Sequence, residues 1–381
     1  MPEQYDTIII GAGIAGCCTA FTLQQKGQKV LLLDRSAVAA SGGSGAAGAF
    51  VSPKIGKGSS LQTLTNEAFY FSKDFYLKHF PKYFHQTGVI RIPKDEEDAE
   101  KFKLYEPFNK SKYRWVTQEE LQILGINNSA DSFMFEEAGV CDAPELCAAI
   151  FEQLECMQMD VESLEYSDTV WHIKARSHAP RENEGFIQLQ ATNIVLSTGY
   201  QNELFDIRYM GVKGTWGSRG DYMSALDLDV SMHKSISISA NVNGIIKIGA
   251  THVKSKEPCI VCAGDPLKGL FQSASQMVDT SDFILKETFC GMRSGSKDYF
   301  PLVGKVIDVP YMLEEYPLIT RGAKPELKHI EKLFICNGLG GRGFVFAPYM
   351  AELLAEVIVE GKEMDKRVNP DRLFLKWCRK L

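Results

Sequence analysis

The stretch YDTIIIGAGIAGCCTAFTLQQKGQKVLLLDRS near the start of the chain narrows the possible folds more than any other. Ile8, Ile9 and Ile10 make a continuous apolar strand, as a sheet covered on both faces requires. Gly11-x-Gly13-x-x-Gly16 then opens an apolar helix running to about Lys26, and Gly27 ends it. Val30 to Leu33 form a second strand with Asp34 at its end. Each part has a physical task. Gly11 permits the turn, Gly13 lets backbone N–H groups approach a pyrophosphate, and Gly16 lets helix and strand pack closely. The helix N-terminus adds partial positive charge. Asp34, roughly 20 residues on, is placed to accept hydrogen bonds from ribose hydroxyls. A bare GxGxxG is weak evidence, but the complete strand-turn-helix-strand-acid unit predicts a dinucleotide site rather than a merely structural βαβ unit.

Three later features favour FAD over NAD. After Asp34 the chain enters SAVAASGGSGAAGAFVSPK, whose small residues from Ser41 to Gly48 can run close beneath a large flat ring. The competing reading is a flexible surface loop, which the helical pattern from Leu61 to Phe80 disfavours. Ala191 to Tyr200 reads as an apolar strand ending in Ser197, Thr198 and Gly199, small enough for close approach to a nucleotide. Near the C-terminus, LFICNGLGGRGFVFAPYMAELLAEVI repeats strand, glycine turn and helix, and Gly338, Gly340 and Gly343 again match GxGxxG. No second apolar strand and no acid follow. That argues for a helix N-terminus aimed at the pyrimidine edge of a flavin, which turns anionic on two-electron reduction.

Composition supports a large globular interior: 381 residues, 45% hydrophobic and 24% charged, which suggests two domains. The formal charge of -6 gives no global reason to bind nucleic acid or an anionic membrane. No apolar run is long enough to span a bilayer. Ten cysteines without a framework, and an N-terminus MPEQYDTIII lacking a basic region or cleavage site, predict reduced thiols in the cytoplasm. Cys259 and Cys262 form a lone CxxC with no second ligand pair nearby, so two half-buried strand cysteines are expected and no metal.

GAGIAG with Asp34, the Ser/Gly loop, the late STG strand, RSGSKDYFP and the terminal GLGGRG resemble the D-amino-acid-oxidase and glycine-oxidase group of FAD enzymes over essentially the whole length. Within that group, ASGGSGAAGAFVSPKIGKGSSLQTLTNEAFYFSKDFY, EEAGVCDAPELCAAI and GLGGRGFVFAPYMAELL look most like the oxidase half of the MnmC family of bifunctional tRNA wobble-uridine modification enzymes. The resemblance implies FAD held by Gly11, Gly13, Gly16, Asp34, Arg35, Ser41, Gly42, Gly43, Ala47, Gly48, Ser197, Thr198, Gly199, Gly338, Leu339, Gly340, Gly341, Arg342 and Gly343, and noncovalent attachment is expected because no cysteine or histidine stands out as a linkage site. It also puts Val161 where relatives bring backbone near adenine. It implies a methyltransferase domain ahead of the oxidase as well. This chain begins at the FAD strand, so a separate partner, a shortened chain or a different substrate is expected.

In glycine-oxidase-like enzymes the arginine matching Arg293 is expected to hold the substrate carboxylate. The chemistry gives a reason: an amine R-NH-CH2-COO(-) must present its alpha carbon in one orientation, and a planar bidentate guanidinium fixes that as a point charge cannot. The alternative is a structural arginine in a surface ion pair. Arg342 is either a second carboxylate clamp or a cap on the flavin loop. Tyr222, Trp216 and His252 lie on segments expected to line the substrate side, with Tyr222 taken as a catalytic candidate and plain packing as the alternative. Asp298 is expected to organise the turn that follows Arg293.

The expected architecture is α/β, a Rossmann-like FAD-binding domain of glutathione-reductase type with a second α+β substrate domain built on an antiparallel sheet. Residues 1–80, 140–205 and 290–381 are assigned to the first, 81–139 and 206–289 to the second. Asp142, Pro144 and Glu145 signal a helix start. Two functions follow from the resemblance: oxidation of carboxymethylaminomethyl-uridine in tRNA, releasing glyoxylate, or oxidation of free glycine, sarcosine or a D-amino acid. A non-catalytic FAD-binding subunit is a third. Lys54 and Lys57, with Lys110, Lys112 and Arg114 among aromatics, are candidate phosphate contacts for tRNA. The acidic neighbours Asp95 to Asp98 suit a solvated mixed surface equally.

Overall fold

The structure is a computed structural model describing residues 3–177, 185–253 and 265–381; Cys259 and Cys262 lie outside the described residues. Strands β1 (Gln4–Ile10) and β2 (Val30–Asp34) flank helix α1 (Ile14–Gln25), and Lys26 caps its C-terminus ahead of Gly27 at φ +84°. β1 pairs in parallel with β2 on one side and with strand Phe186–Leu196 on the other, and that strand pairs in parallel with His329–Asn337. Four parallel strands therefore end along one edge, at Asp34, Ile10, Leu196 and Asn337, which is where ligands bind in open α/β sheets. Glu155–Ser167, Val170–Ser177 and Phe186–Leu196 form the antiparallel meander of the same sheet, seven strands among the described residues.

Helices cover both faces of that sheet. On one side α1 packs with Ser60–His79, Ala143–Phe151 and the C-terminal Gly343–Glu360. The last of these contains Pro348, whose missing N–H frees the carbonyl of Phe344. The fully buried Tyr76 donates its hydroxyl to that carbonyl at 2.9 Å, and Ser72 donates to Val345 O at 2.7 Å. The helix therefore continues through the proline because its neighbour satisfies it.

A second, eight-stranded sheet carries Val89–Arg91, Arg114–Val116, Ser132–Phe135, Lys213–Met223, Ser231–His233, Ser237–Ile238, Ile245–Gly249 and Ile284–Gly295. It is antiparallel apart from Ser231–His233 beside Val89–Arg91. This is the mixed α/β architecture expected from the sequence. One expected boundary falls inside an element: Ile284–Gly295 is a single strand, paired throughout with Lys213–Met223, and residue 290 lies in its middle. The Gly/Ser turn begins only after it, so Arg293 is a strand residue of the second sheet. No helix among the described residues is long and apolar enough to cross a membrane.

Candidate active site

The carboxyl edge of the parallel strands opens into a cavity of about 650 Å³, between the first sheet and the second. Gly11, Gly13, Asp34, Arg35, Ser41, Gly42, Gly43, Ala47, Gly48, Val161, Ser197, Thr198, Gly199, Leu339, Gly340, Gly341, Gly343 and Arg293 all line it. Residues spread over the whole chain thus meet at one place.

The glycines are required by backbone contact. Gly11 sits at φ +110°, and a Cβ there would lie 2.4 Å from the carbonyl oxygen of Ser197. A Cβ on Gly16 would lie 1.8 Å from Gly11 O, so Gly16 acts behind the cavity wall by letting α1 approach the turn. Gly43 brings the small-residue loop against the second sheet, where a Cβ would meet Met292 O at 2.4 Å.

Polar groups are arranged for a dinucleotide. Asp34 accepts from Ala12 N at 2.6 Å and Ser36 N at 2.8 Å, which fixes the carboxylate at the cavity wall with acceptor capacity to spare. Ser197 Oγ and Thr198 Oγ1 are buried with no hydrogen-bond partner among the described residues. Buried hydroxyls are normally satisfied, so an orphaned pair in a cavity wall fits a ligand that brings its own polar atoms. Strand, glycine turn, acid and orphan hydroxyls together fit FAD.

Four expected site residues are placed elsewhere or act indirectly. Tyr222 is corrected: it is buried against Phe271 and Phe283, with ring centroids 5.4 and 5.9 Å away, and does not reach the cavity. Its strand alternation turns the ring to the far side of the second sheet, and burial raises its pKa. Gly16 and Gly338 stand behind the lining, the latter at φ +71° against Leu302. Arg342 flanks the lining residues Gly341 and Gly343 without being one. Trp216 is half-buried on the strand paired with that of Arg293, its indole N–H without a hydrogen-bond partner among the described residues, while His252 lines the cavity. Asp298 does hold the turn: it accepts from Ser296 Oγ at 3.0 Å and Phe300 N at 3.3 Å, and pairs with Arg372.

Arg293 is half-buried, and burial pulls its pKa below the usual range. Its Nη1 donates to His252 Nδ1 at 2.8 Å and its Nη2 to Thr251 O at 3.2 Å. Among the described residues it has no carboxylate partner. His252 accepts at Nδ1, so its proton is on Nε2; burial and then the Arg293 charge lower its pKa and keep it neutral. The guanidinium is therefore oriented by neutral groups, with further N–H donors left for an anion.

Three residues not expected from the sequence build this site. Asn337 Nδ2 donates to Gly199 O at 2.7 Å, while its Oδ1 accepts from Ser294 Oγ at 2.6 Å and Gly338 N at 2.7 Å. One buried amide thus ties the Arg293 strand, the STG turn and the C-terminal glycine turn together. Its signal was a lone amide ending an apolar strand before glycines, LFICNGLGG. Ser44 Oγ accepts from Ile14 N at 3.0 Å and joins the small-residue loop to the start of α1. Arg219, 1% exposed, donates to Gly45 O and Ala47 O and pairs with Asp221, fastening the same loop to the second sheet. Nothing in a single sequence marks an arginine as buried.

The chain is 25% identical over 413 aligned positions to the tRNA 5-methylaminomethyl-2-thiouridine biosynthesis bifunctional protein MnmC of Shewanella amazonensis, covering 99% of this chain and 60% of that protein. It is 21% identical to the same-named protein of Legionella pneumophila strain Lens, covering 98% and 58%. The chain thus spans about three fifths of the length of these relatives. Among solved structures, glycine oxidase from Geobacillus kaustophilus superposes with a TM-score of 0.76 at 17% identity, covering 95% of this chain and 96% of that one. Iminodiacetate oxidase from Chelativorans sp. BNC1 superposes with a TM-score of 0.73 at 17% identity, covering 96% and 98%. Residues 6–357 match the family model described as DAO, FAD dependent oxidoreductase, and the chain belongs to that family of FAD-dependent enzymes.

Proposed function

We propose that this protein oxidises the C–N bond of an N-substituted glycine, with Arg293 holding the substrate carboxylate. The supporting observation is the half-buried Arg293 guanidinium in the cavity wall, oriented by His252 and Thr251 and lacking an acidic partner among the described residues. A cation left half-buried and unpaired is costly, and a carboxylate with bidentate geometry is the natural complement. FAD, when bound, accepts two electrons from the substrate. The chain supplies position: Arg293 orients the glycyl tail, and the small-residue loop with Gly42 and Gly43, packed against the strand that carries Met292 and Ser294, forms the wall beside it. The resulting imine takes up water, the C–N bond breaks, and glyoxylate and the free amine leave. No side chain is needed as a general base if the amine arrives neutral.

The favoured substrate is the carboxymethylaminomethyl group of wobble uridine in tRNA, in effect an N-substituted glycine, because the chain is similar over nearly its whole length to MnmC proteins. Loops carrying Lys57 and Lys110 support that reading. Gln62 joins them, its amide accepting from Gly58 N and donating to Phe108 O, and both lysines are exposed without an ion pair among the described residues. Arg114 is spoken for by Glu120 at 2.9 Å and Glu136 at 3.5 Å. A methyltransferase partner and cytoplasmic location belong to the same reading. The second reading, a free N-alkyl glycine, is favoured by the Arg293 geometry itself, which addresses only the glycyl tail.

Anaerobic bleaching of the holoenzyme by tRNA carrying the carboxymethylaminomethyl group, and separately by sarcosine and glycine, tests these readings. Bleaching by tRNA alone supports the first and by small amines the second; bleaching by neither refutes both. Arg293→Ala is expected to lower kcat/KM by about two orders of magnitude or more, from roughly 3 kcal/mol of lost charge pairing. An effect under about threefold would remove Arg293 from the site.

A further inference from the structure

Besides Arg293, three other cations adjoin the cavity and lack a side-chain acceptor among the described residues. Arg91 ends Val89–Arg91 and stands beside His233 in the parallel register of the second sheet. His233 and the neighbouring Ser235 to Ser237 line the cavity. Arg342 sits between the lining residues Gly341 and Gly343. Lys54 follows the strand Phe50–Val51, whose Phe50 also lines it. All three are half-buried, and no side-chain hydrogen bond or ion pair satisfies any of them among the described residues.

Their charges act on one another. Burial first, then Arg342, lowers the pKa of Arg91 to about 9, with Asp98 the one acid opposing the shift. Burial lowers Arg342 to about 10, and burial with the charges of Arg342 and Arg91 lowers Lys54. Burial, Arg91, Arg342, Lys94 and His252 together push His233 well down, so it is a neutral member of the group. Three like charges gathered with no ion pair among the described residues are mutually destabilising unless something anionic arrives. The expected dinucleotide phosphates lie elsewhere, at the glycine turn before α1, on the first sheet. This cluster adjoins the cavity, none of its three members among the lining residues: Arg91 stands beside the lining His233 on the second sheet, and Arg342 lies between the lining Gly341 and Gly343 in the turn that follows Asn337.

We propose that Lys54, Arg91 and Arg342 form a second anion subsite, beside Arg293, for a phosphate or a second carboxylate carried by the same substrate. The proposal deepens the reading above and rests on it for the word substrate. A substrate with only one carboxylate leaves the cluster unsatisfied. One with a glycyl carboxylate and a further anionic oxygen group spans both sites. A nucleotide phosphate in RNA and a dianionic small amine share that chemistry.

Titration of the holoenzyme with inorganic phosphate, read by perturbation of flavin absorbance, tests the subsite without turnover. Saturable binding is expected in the wild type and in Arg293→Ala. It should weaken by about tenfold or more in Arg91→Gln and, as an independent variant, Lys54→Gln, the loss of one charge-assisted hydrogen bond. Phosphate binding that depends on Arg293 and ignores Arg91 and Lys54 overturns the proposal, as does loss of FAD from both folded variants, which would assign the cluster to the cofactor. Anaerobic bleaching by sarcosine, iminodiacetate, N-(phosphonomethyl)glycine and tRNA separates the sources. Preference for the dianionic amines over sarcosine, erased in Arg91→Gln, identifies a small acid; bleaching by tRNA alone, slowed in Arg91→Gln, identifies an RNA phosphate. Equal use of sarcosine and the dianionic amines overturns the subsite. If no amine and no tRNA bleaches the flavin, the oxidase reading fails, while the phosphate titration still decides the subsite.

Discussion

Replacing Arg219 by methionine tests how the cavity wall is held. The guanidinium is 1% exposed and donates Nε and Nη2 to the two oxygens of Asp221 at 2.7 and 3.2 Å. Nη1 donates to Gly45 O at 3.3 Å and to Ala47 O. It also stacks over Phe289 at 4.0 Å. Methionine keeps much of the stem and the stacking but strands the carboxylate of Asp221, which is 9% exposed. Breaking a buried pair from one side costs about 3 to 5 kcal/mol. The double variant Arg219→Met/Asp221→Leu removes both charges, so the main remaining loss is that of the donor to two loop carbonyls, about 1 to 3 kcal/mol. The double variant is therefore expected to be the more stable of the two in urea unfolding of the apoprotein. Both should hold FAD more weakly by about tenfold or more, because the loop carrying Gly45 and Ala47 is loosened in each. Flavin fluorescence on dilution measures that release. If the single variant unfolds no more easily than the double one, Asp221 does not depend on Arg219. If both retain wild-type FAD affinity, the loop is held by something else.

Other expectations concern separate parts of the molecule. Gly16→Ala places a Cβ 1.8 Å from Gly11 O, so α1 must shift; purified protein is expected to lack its yellow flavin, and full flavin content would contradict the turn geometry. Tyr76→Phe leaves Phe344 O beside Pro348 unsatisfied and should cost about 1 to 3 kcal/mol in urea unfolding; a neutral result would mean another donor reaches that carbonyl. Asp142 forms no cap to its helix but pairs with His85 and Lys247, each at 2.7 Å. Burial alone would raise its pKa; those partners outweigh burial and bring it to about 2, against an ordinary 3.8. A depressed carboxyl pKa contributes stability above the unfolded value, and that contribution is lost as pH falls from 3.8 through about 2. After allowance for its partial exposure this is about 1 to 2 kcal/mol, and Asp142→Asn should flatten the acid limb of the stability curve by that amount.

Much of the first sheet was legible because its signals are local. Triple isoleucine, three spaced glycines and Asp34 specify strand, turn, helix and strand over a short run of chain; Gly16 answers to Gly11 O inside the unit and Gly11 needs its positive φ, while the contact of Gly11 with Ser197 O is a tertiary one. Helix Ser60–His79 was equally readable from its pattern, shifted by one residue at each end because Ser59 accepts from Gln62 N and begins it. The boundary expected at residue 290 cuts the strand Ile284–Gly295 that carries Arg293, since Gly291 and Gly295 look like turn residues until a paired strand makes them part of a ladder.

Sequence alone determined that a dinucleotide unit opens this chain and that a second glycine turn closes it, because both depend on backbone conformation over a few residues. Tertiary structure alone decided which side of its strand Tyr222 faces, that Arg219 is buried, that Asn337 ties three segments, and that Lys54, Arg91 and Arg342 converge. Those outcomes depend on side-chain direction and on contacts between residues far apart in the chain, where periodicity carries no information about which groups meet.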